Sequence, residues 1–189
     1  MIKSFEHISE IMVRSDREKA IREFLASPPF NRRNIGDDEV RTFDIALTHD
    51  SYTNEEAQAG RIKESYERLE FLGDAVIELA VCEYIYEGAR LNEGEMTKFK
   101  NTTVSNANIS LRILACNIDI DNVLLVGEGH KDKRTGDNVI EENMRADTFE
   151  ALMGAVYELY GLDEAKRIVR EVLIEVPWDM DAHYKIDVP

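Results

Sequence analysis

Glu67-Arg68-Leu69-Glu70-Phe71-Leu72-Gly73-Asp74-Ala75-Val76-Ile77-Glu78-Leu79-Ala80-Val81 is the stretch on which the fold turns. Its apolar residues have no strand-like alternation, and they cover most of a helical circumference. A helix that is apolar on most faces belongs at the centre of a bundle. The spacing predicts this helix from Lys63 to Tyr86. The same stretch carries Glu67, Glu70 and Asp74 at i, i+3 and i+7. At about 100° per residue, these acids fall within roughly 60° of one another. Three carboxylates therefore share a narrow stripe on an otherwise apolar helix. Like charges at this spacing repel, and burying them is costly unless they are paired. A solvated surface stripe is the alternative, and the apolar flanks argue against it. A bound cation relieves both penalties. Carboxylate oxygens suit hard cations such as Mg²⁺ or Mn²⁺. Gly73 costs a helix interior about 1 kcal/mol relative to alanine. Plain helix packing accounts for it, and so does the close approach of another backbone.

A second acidic pair lies in Arg145-Ala146-Asp147-Thr148-Phe149-Glu150. Asp147 and Glu150 are i, i+3 and share one face, while Phe149, Leu152, Met153 and Val156 line the core. Gly154 continues the acidic face and lets helices come close. One acidic pair on a helix is usually solvated. Two acidic stripes on two core-like helices can hold one or two divalent metals between them.

Elsewhere the apolar period is again helical. Helices are expected over Ile8–Leu25, Asp38–Leu47, Met96–Cys116, Ile140–Tyr160 and Asp163–Glu175. Ser27-Pro28-Pro29 ends the first of these. His49 to Arg61 reads as a polar loop, and Val123-Leu124-Leu125-Val126 is the one short strand candidate. Gly127, Gly129 and Gly136 mark a charged loop. Gly161 ends one helix and Pro177 follows another. No repeat or low-complexity linker interrupts the chain, so the fold class is all-α, in one domain.

At 189 residues, with 43% hydrophobic and 32% charged residues, the chain has the composition of a soluble globular domain. It has no run of about 18 apolar residues and no secretory signal, so neither a membrane span nor export is expected. Cys82 and Cys116 read as buried thiols of a reducing cytoplasm, not as a disulfide. The net charge of −15 opposes binding to phosphate backbones. It fits an acidic solvated shell, adaptation to a salty cytoplasm, or acids gathered at a metal site.

Glu67 to Asp74 matches the ribonuclease III signature, and Ala146 to Gly154 resembles that family's second acidic motif. Ala46-Leu47-Thr48-His49-Asp50-Ser51-Tyr52 is similar to the segment upstream of the signature, with Asp50 where an arginine is usual. Glu93-Gly94-Glu95-Met96 is similar to the turn opening the next helix, and Gly127-Glu128-Gly129 to the loop before the second motif. The likeness runs over roughly residues 20 to 173. It implies a homodimeric, all-α ribonuclease III-type endonuclease. The implied divisions are an N-terminal helical extension over 1–19, a catalytic domain over 20–176 and a C-terminal tail over 177–189.

The resemblance further implies residue roles. Glu70, Asp74, Asp147 and Glu150 would bind metal, with Asp74 and Glu150 at the centre of catalysis. Glu67 and Glu93 would support the site, and Phe71 would enter the partner subunit at the dimer interface. The cofactor would be Mg²⁺, with Mn²⁺ substituting and no other small-molecule cofactor. The activity would be hydrolysis of double-stranded RNA to 5′-phosphate and 3′-hydroxyl ends, in RNA processing such as that of ribosomal precursors. Phosphate contacts are expected from Lys98, Lys100, Lys131, Lys133 and Arg134. His49, outside the acid stripes, reads as structural, and Glu78 as solvated or salt-bridged. A C-terminal double-stranded-RNA-binding domain, common in the family, is not expected after Val176, so RNA binding should be weak and salt-sensitive. Two alternatives compete: a catalytically silent RNA-binding or ribosome-associated relative, and an all-α nucleotide pyrophosphohydrolase. The first would be expected to have lost acids. The second needs a Glu-x-x-Asp that does not follow Glu67-x-x-Glu70.

Overall fold

The computed structural model describes residues 15–88 and 90–175, all-α apart from isolated bridges. The first helix, α1, occupies 15–26. It is followed by α2 (Asp37–Ala46), α3 (Asp50–Gln58), α4 (Glu67–Gly88), α5 (Glu93–Thr103), α6 (Asn106–Ala115), the single turn α7 (Ile120–Val123), α8 (Glu142–Tyr160) and α9 (Leu162–Val169). A π-helical turn, Arg170–Ile174, continues α9.

The central element is α8. From Met144 to Val156 every residue except Asp147 is buried. The long helix α4 packs along it, and α2, α6 and α9 enclose the remaining sides. Phe43, Leu47, Ile77, Ile109, Ile113, Phe149 and Leu152 fill the space between them. Two glycines set the closeness of the α4–α8 contact. A Cβ on Gly73 would lie 1.7 Å from the Glu150 carbonyl oxygen, and one on Gly154 would lie 2.2 Å from that of Leu69. The backbones touch where any side chain would hold them apart, so the helical cost of Gly73 has a packing reason.

Several expected boundaries shift. Residues 49–61 are largely helical, not a loop. His49 caps α3 by accepting the Ser51 N–H (3.0 Å), and Asp50 supplies negative charge to its first turn. None of the residues of α3 is buried, so its apolar pattern is faint. The helix expected over Met96–Cys116 is two helices. Ser105 leaves the helical conformation and caps α6 through the Asn108 N–H. In place of a strand at 123–126 there is the end of α7 and one bridge pairing Leu125 with Thr48. The helix expected from Lys63 begins at Glu67. Cys82 is exposed and Cys116 half-buried, so neither is the buried thiol expected.

The circumference of α4 is also not buried all round. Phe71, Leu79 and Tyr86 stand 83%, 45% and 81% exposed on one side of it. Most of the expected 1–19 extension and the 177–189 tail lie outside the described residues. The π turn and the φ of 84° at Gly161 lie where a helix end was expected.

Candidate metal centre

Glu70 projects from α4, and Asp147 and Glu150 from α8. One carboxylate oxygen from each lies within 4.8 Å of the others. The glycine contact explains this meeting. Gly73 is three residues after Glu70, and its missing Cβ admits the backbone of Glu150 itself. Glu150 is only 7% exposed, and Glu70 and Asp147 are half-buried.

The crowding shows in how these acids hold their protons. Burial, reinforced by the Asp74, Asp147 and Glu70 charges, pushes Glu150 up to about 8. Burial and the charges of Asp147, Glu67 and Asp74 push Glu70 up to about 7. Burial also raises Asp147, against an amide donated by Asn106, and raises Asp74, with Glu78 adding to the rise and Lys100 opposing it. Carboxylates this close to one another, and this dry, fit an oxygen-liganded divalent cation, whose charge would favour their ionised forms.

The other expected site residues divide. Asp74 stands outside the tight trio, exposed, but near enough for its charge to act on Glu150. Glu67 is exposed at the start of α4 and accepts the Ser65 hydroxyl at 2.8 Å; its charge acts on Glu70. Glu93 is exposed in the first turn of α5, bonded by Thr97 of its own helix (3.5 Å), and also outside the trio. Of the expected phosphate contacts, Lys100 is bridged to Glu78 (2.9 Å) and Lys131 to Glu128 (2.6 Å). Lys98, Lys133 and Arg134 are exposed. The pairing of Glu78 agrees with its salt-bridged reading, and the capping role of His49 with its structural one.

Three residues around the trio are not flagged by the pattern along the chain. Tyr66 is 4% exposed, and its phenol is raised by burial first and then by the charges of Asp147 and Glu70. It is the residue just before the signature, and an apolar-period reading passes over it. Asn106 reaches Asp147 from α6, and the unrecognised break at Ser105 hides its position. Arg145 is buried, donating to both Asp121 oxygens (2.7 and 2.6 Å) and to Ser110 (2.9 Å). It clamps α8 to its neighbours two residues before Asp147.

An all-α domain whose two innermost helices converge on buried carboxylates defines a class: a helical domain with an acidic, divalent-cation-type site. Residues 39–176 match the family described as Ribonuclease-III-like, and the chain belongs to that family. It is 39% identical over 145 residues to Ribonuclease 3 of Onion yellows phytoplasma (strain OY-M), covering 77% of this chain and 57% of that protein. It is also 39% identical over 136 residues to Ribonuclease 3 of Pelotomaculum thermopropionicum, covering 71% and 54%. The chain thus spans less than two-thirds of the length of these relatives. A solved nuclease domain of ribonuclease III from Campylobacter jejuni superposes with a TM-score of 0.60 at 28% identity, covering 75% of this chain and 89% of that one. No helix among the described residues is long and apolar enough to cross a membrane.

Proposed function

We propose that this chain is a divalent-metal-dependent endoribonuclease that hydrolyses double-stranded RNA as a homodimer. The observation that carries the reading is the convergence of Glu70, Asp147 and Glu150 across the α4–α8 contact. The names of the relatives favour RNA as substrate. Retention of every acid favours an enzyme over a silent RNA-binding relative.

In this reading Glu70, Asp147, Glu150 and Asp74 hold Mg²⁺, with Mn²⁺ as a substitute. A divalent cation at such a site supplies a nucleophile from water near neutral pH and stabilises charge on the leaving oxygen. The carboxylates orient the attacking water and the scissile phosphate, and Glu67 and Glu93 serve from outside. Arg145 and the two glycines hold the helices that carry the acids. No covalent intermediate is needed, so products end in 5′-phosphate and 3′-hydroxyl. The exposed Phe71 enters the partner subunit. Its 83% exposure, on the same side of α4 as the exposed Leu79 and Tyr86, supports this. So does the Campylobacter jejuni nuclease domain, which is described as flexible in a region involved in dimer formation. Lys98, Lys133 and Arg134 contact phosphates directly, while Lys100 and Lys131 do so in competition with their carboxylate partners. The setting is the cytoplasm and the task RNA processing, within a domain over 20–176.

The test is cleavage of a long, perfectly paired RNA with Mg²⁺ by the wild type and by Glu150→Ala. Cleavage by the wild type alone, abolished by EDTA, is expected. No cleavage by either protein at low salt, on several paired substrates, would overturn the reading.

A further inference from the structure

The metal-site acids are not supported alike. Among the described residues, no hydrogen bond reaches the carboxylates of Glu70 or Glu150. Asp147 accepts one, from the Asn106 side-chain amide (Nδ2 to Oδ1, 3.3 Å). The same amide nitrogen donates to the side-chain oxygen of Asn143 (3.2 Å), four residues before Asp147 on α8. One amide on α6 thus spans two successive turns of α8.

We infer that Asn106 is a positioning residue that holds the Asp147 carboxylate in the rotation needed to share a cation with Glu70 and Glu150. This rests on the metal-site reading proposed above and adds a residue to it. The chemistry of the donor matters. A lysine or arginine in this place would bring a counter-charge, neutralise Asp147 and compete with a cation for it. A neutral amide restrains the carboxylate and leaves its full charge available. Partners of this kind, behind a metal ligand, orient it and tune its affinity.

The location of Asn106 makes the restraint firm. It is the first residue of α6, directly after the cap residue Ser105. The preceding turn is tied down by Asn108, whose amide donates to the Thr103 carbonyl at 2.8 Å. One turn further along α6, Ser110 receives Arg145 of α8. The start of α6 is therefore tied to α8 at Asn143 and Arg145, within the turn before Asp147, and a short side chain on such a base has little freedom to lose.

The test is Mn²⁺ binding to the full chain, without RNA, followed by calorimetry or by the electron paramagnetic resonance of free Mn²⁺. The variants are Asn106→Ala, Asn106→Leu, Asn143→Ala and Glu150→Gln. Asn106→Leu retains the volume without the donor, which separates positioning from packing. Both Asn106 variants are expected to bind Mn²⁺ about 10- to 100-fold more weakly, and Asn143→Ala, which leaves the amide to Asp147, to stay near wild type. Wild-type affinity in Asn106→Leu would overturn the inference, even if Asn106→Ala fails to fold. Binding that is lost in Glu150→Gln but intact in Asn106→Leu would sink this inference alone. No binding by the wild type would bring down the metal-site reading as well.

Discussion

Gly73 of α4 and Gly154 of α8 lie against each other's helix with no side chain between. A Cβ on Gly73 would be 2.8 Å from the Gly154 nitrogen, and one on Gly154 would be 3.3 Å from that of Gly73. The contact sets the packing and also brings Glu70 to Glu150. The atoms a Cβ would strike are backbone, so neither helix can yield by turning a side chain. Gly73→Ala is expected to lower stability by about 3 kcal/mol, the upper part of the usual overpacking range. Chemical denaturation checks it. Metal affinity should fall in the same variant, since separating the helices separates the carboxylates.

Glu150→Gln removes the most buried carboxylate of the trio. Cleavage is expected to drop by about 10³-fold, which corresponds to roughly 4 kcal/mol of transition-state stabilisation. The metal-free protein should become more stable at pH 8, since a charge is no longer forced into a dry site. Thermal unfolding with EDTA separates the two effects. A variant equally inactive but less stable would indicate a role in folding instead.

The raised acids give stability a sign with pH. Glu70 and Glu150, near 7 and 8 in the folded chain, ordinarily ionise near 4.5. Between these values the folded chain holds more protons than the unfolded one, so stability falls as pH rises. Their contribution is complete below about pH 4.5 and is lost through pH 7 for Glu70 and pH 8 for Glu150. Unfolding midpoints of the metal-free protein should therefore decline from pH 6 to pH 8.5, more in the wild type than in a Glu70→Gln, Glu150→Gln double variant. Binding of Mg²⁺ should release protons and strengthen across the same interval. Calorimetry in buffers of different ionisation heat measures that release.

Phe71→Asp tests the exposed side of α4. The phenyl is 83% exposed and touches little within its own chain. The isolated subunit should fold normally. Sedimentation should show the wild type as a dimer and the variant as a monomer at micromolar concentration. Unchanged association would place the dimer contact elsewhere.

Salt dependence tests the basic contacts. Each lysine or arginine on a phosphate adds about one unit to the slope of log K against log salt. Lys133→Ala with Arg134→Ala should flatten that slope by about two. Lys100→Ala should change it less, because Glu78 already holds its charge.

What could be read along the chain was whatever a helix repeats. The apolar period of α4 and α8 marked both as core helices, and the helical spacing of their acids (Glu67, Glu70 and Asp74 at i, i+3 and i+7, Asp147 and Glu150 at i, i+3) marked one face of each. Gly73 and Gly154 were visible as helical glycines in want of a neighbour. These features depend only on residues one or two turns apart, so local order carries them. Helix α3 was not legible, because a surface helix without buried residues has no apolar stripe. The break at Ser105 was lost because a serine cap amid a helical period looks like one more polar position. Distances between elements belong to tertiary packing. Only the packing of α8 against α4 decided that Glu70, Asp147 and Glu150 meet within 4.8 Å while Asp74, on the same stripe, stands at the rim. Only the approach of α6 brought Asn106 to Asp147, 41 positions away. Local order along the chain thus marked α4 and α8 as core helices and placed their acids. The tertiary structure decided which acids share a site, because a carboxylate's neighbours across a helix contact depend on how closely two backbones approach, and no spacing within either helix encodes that.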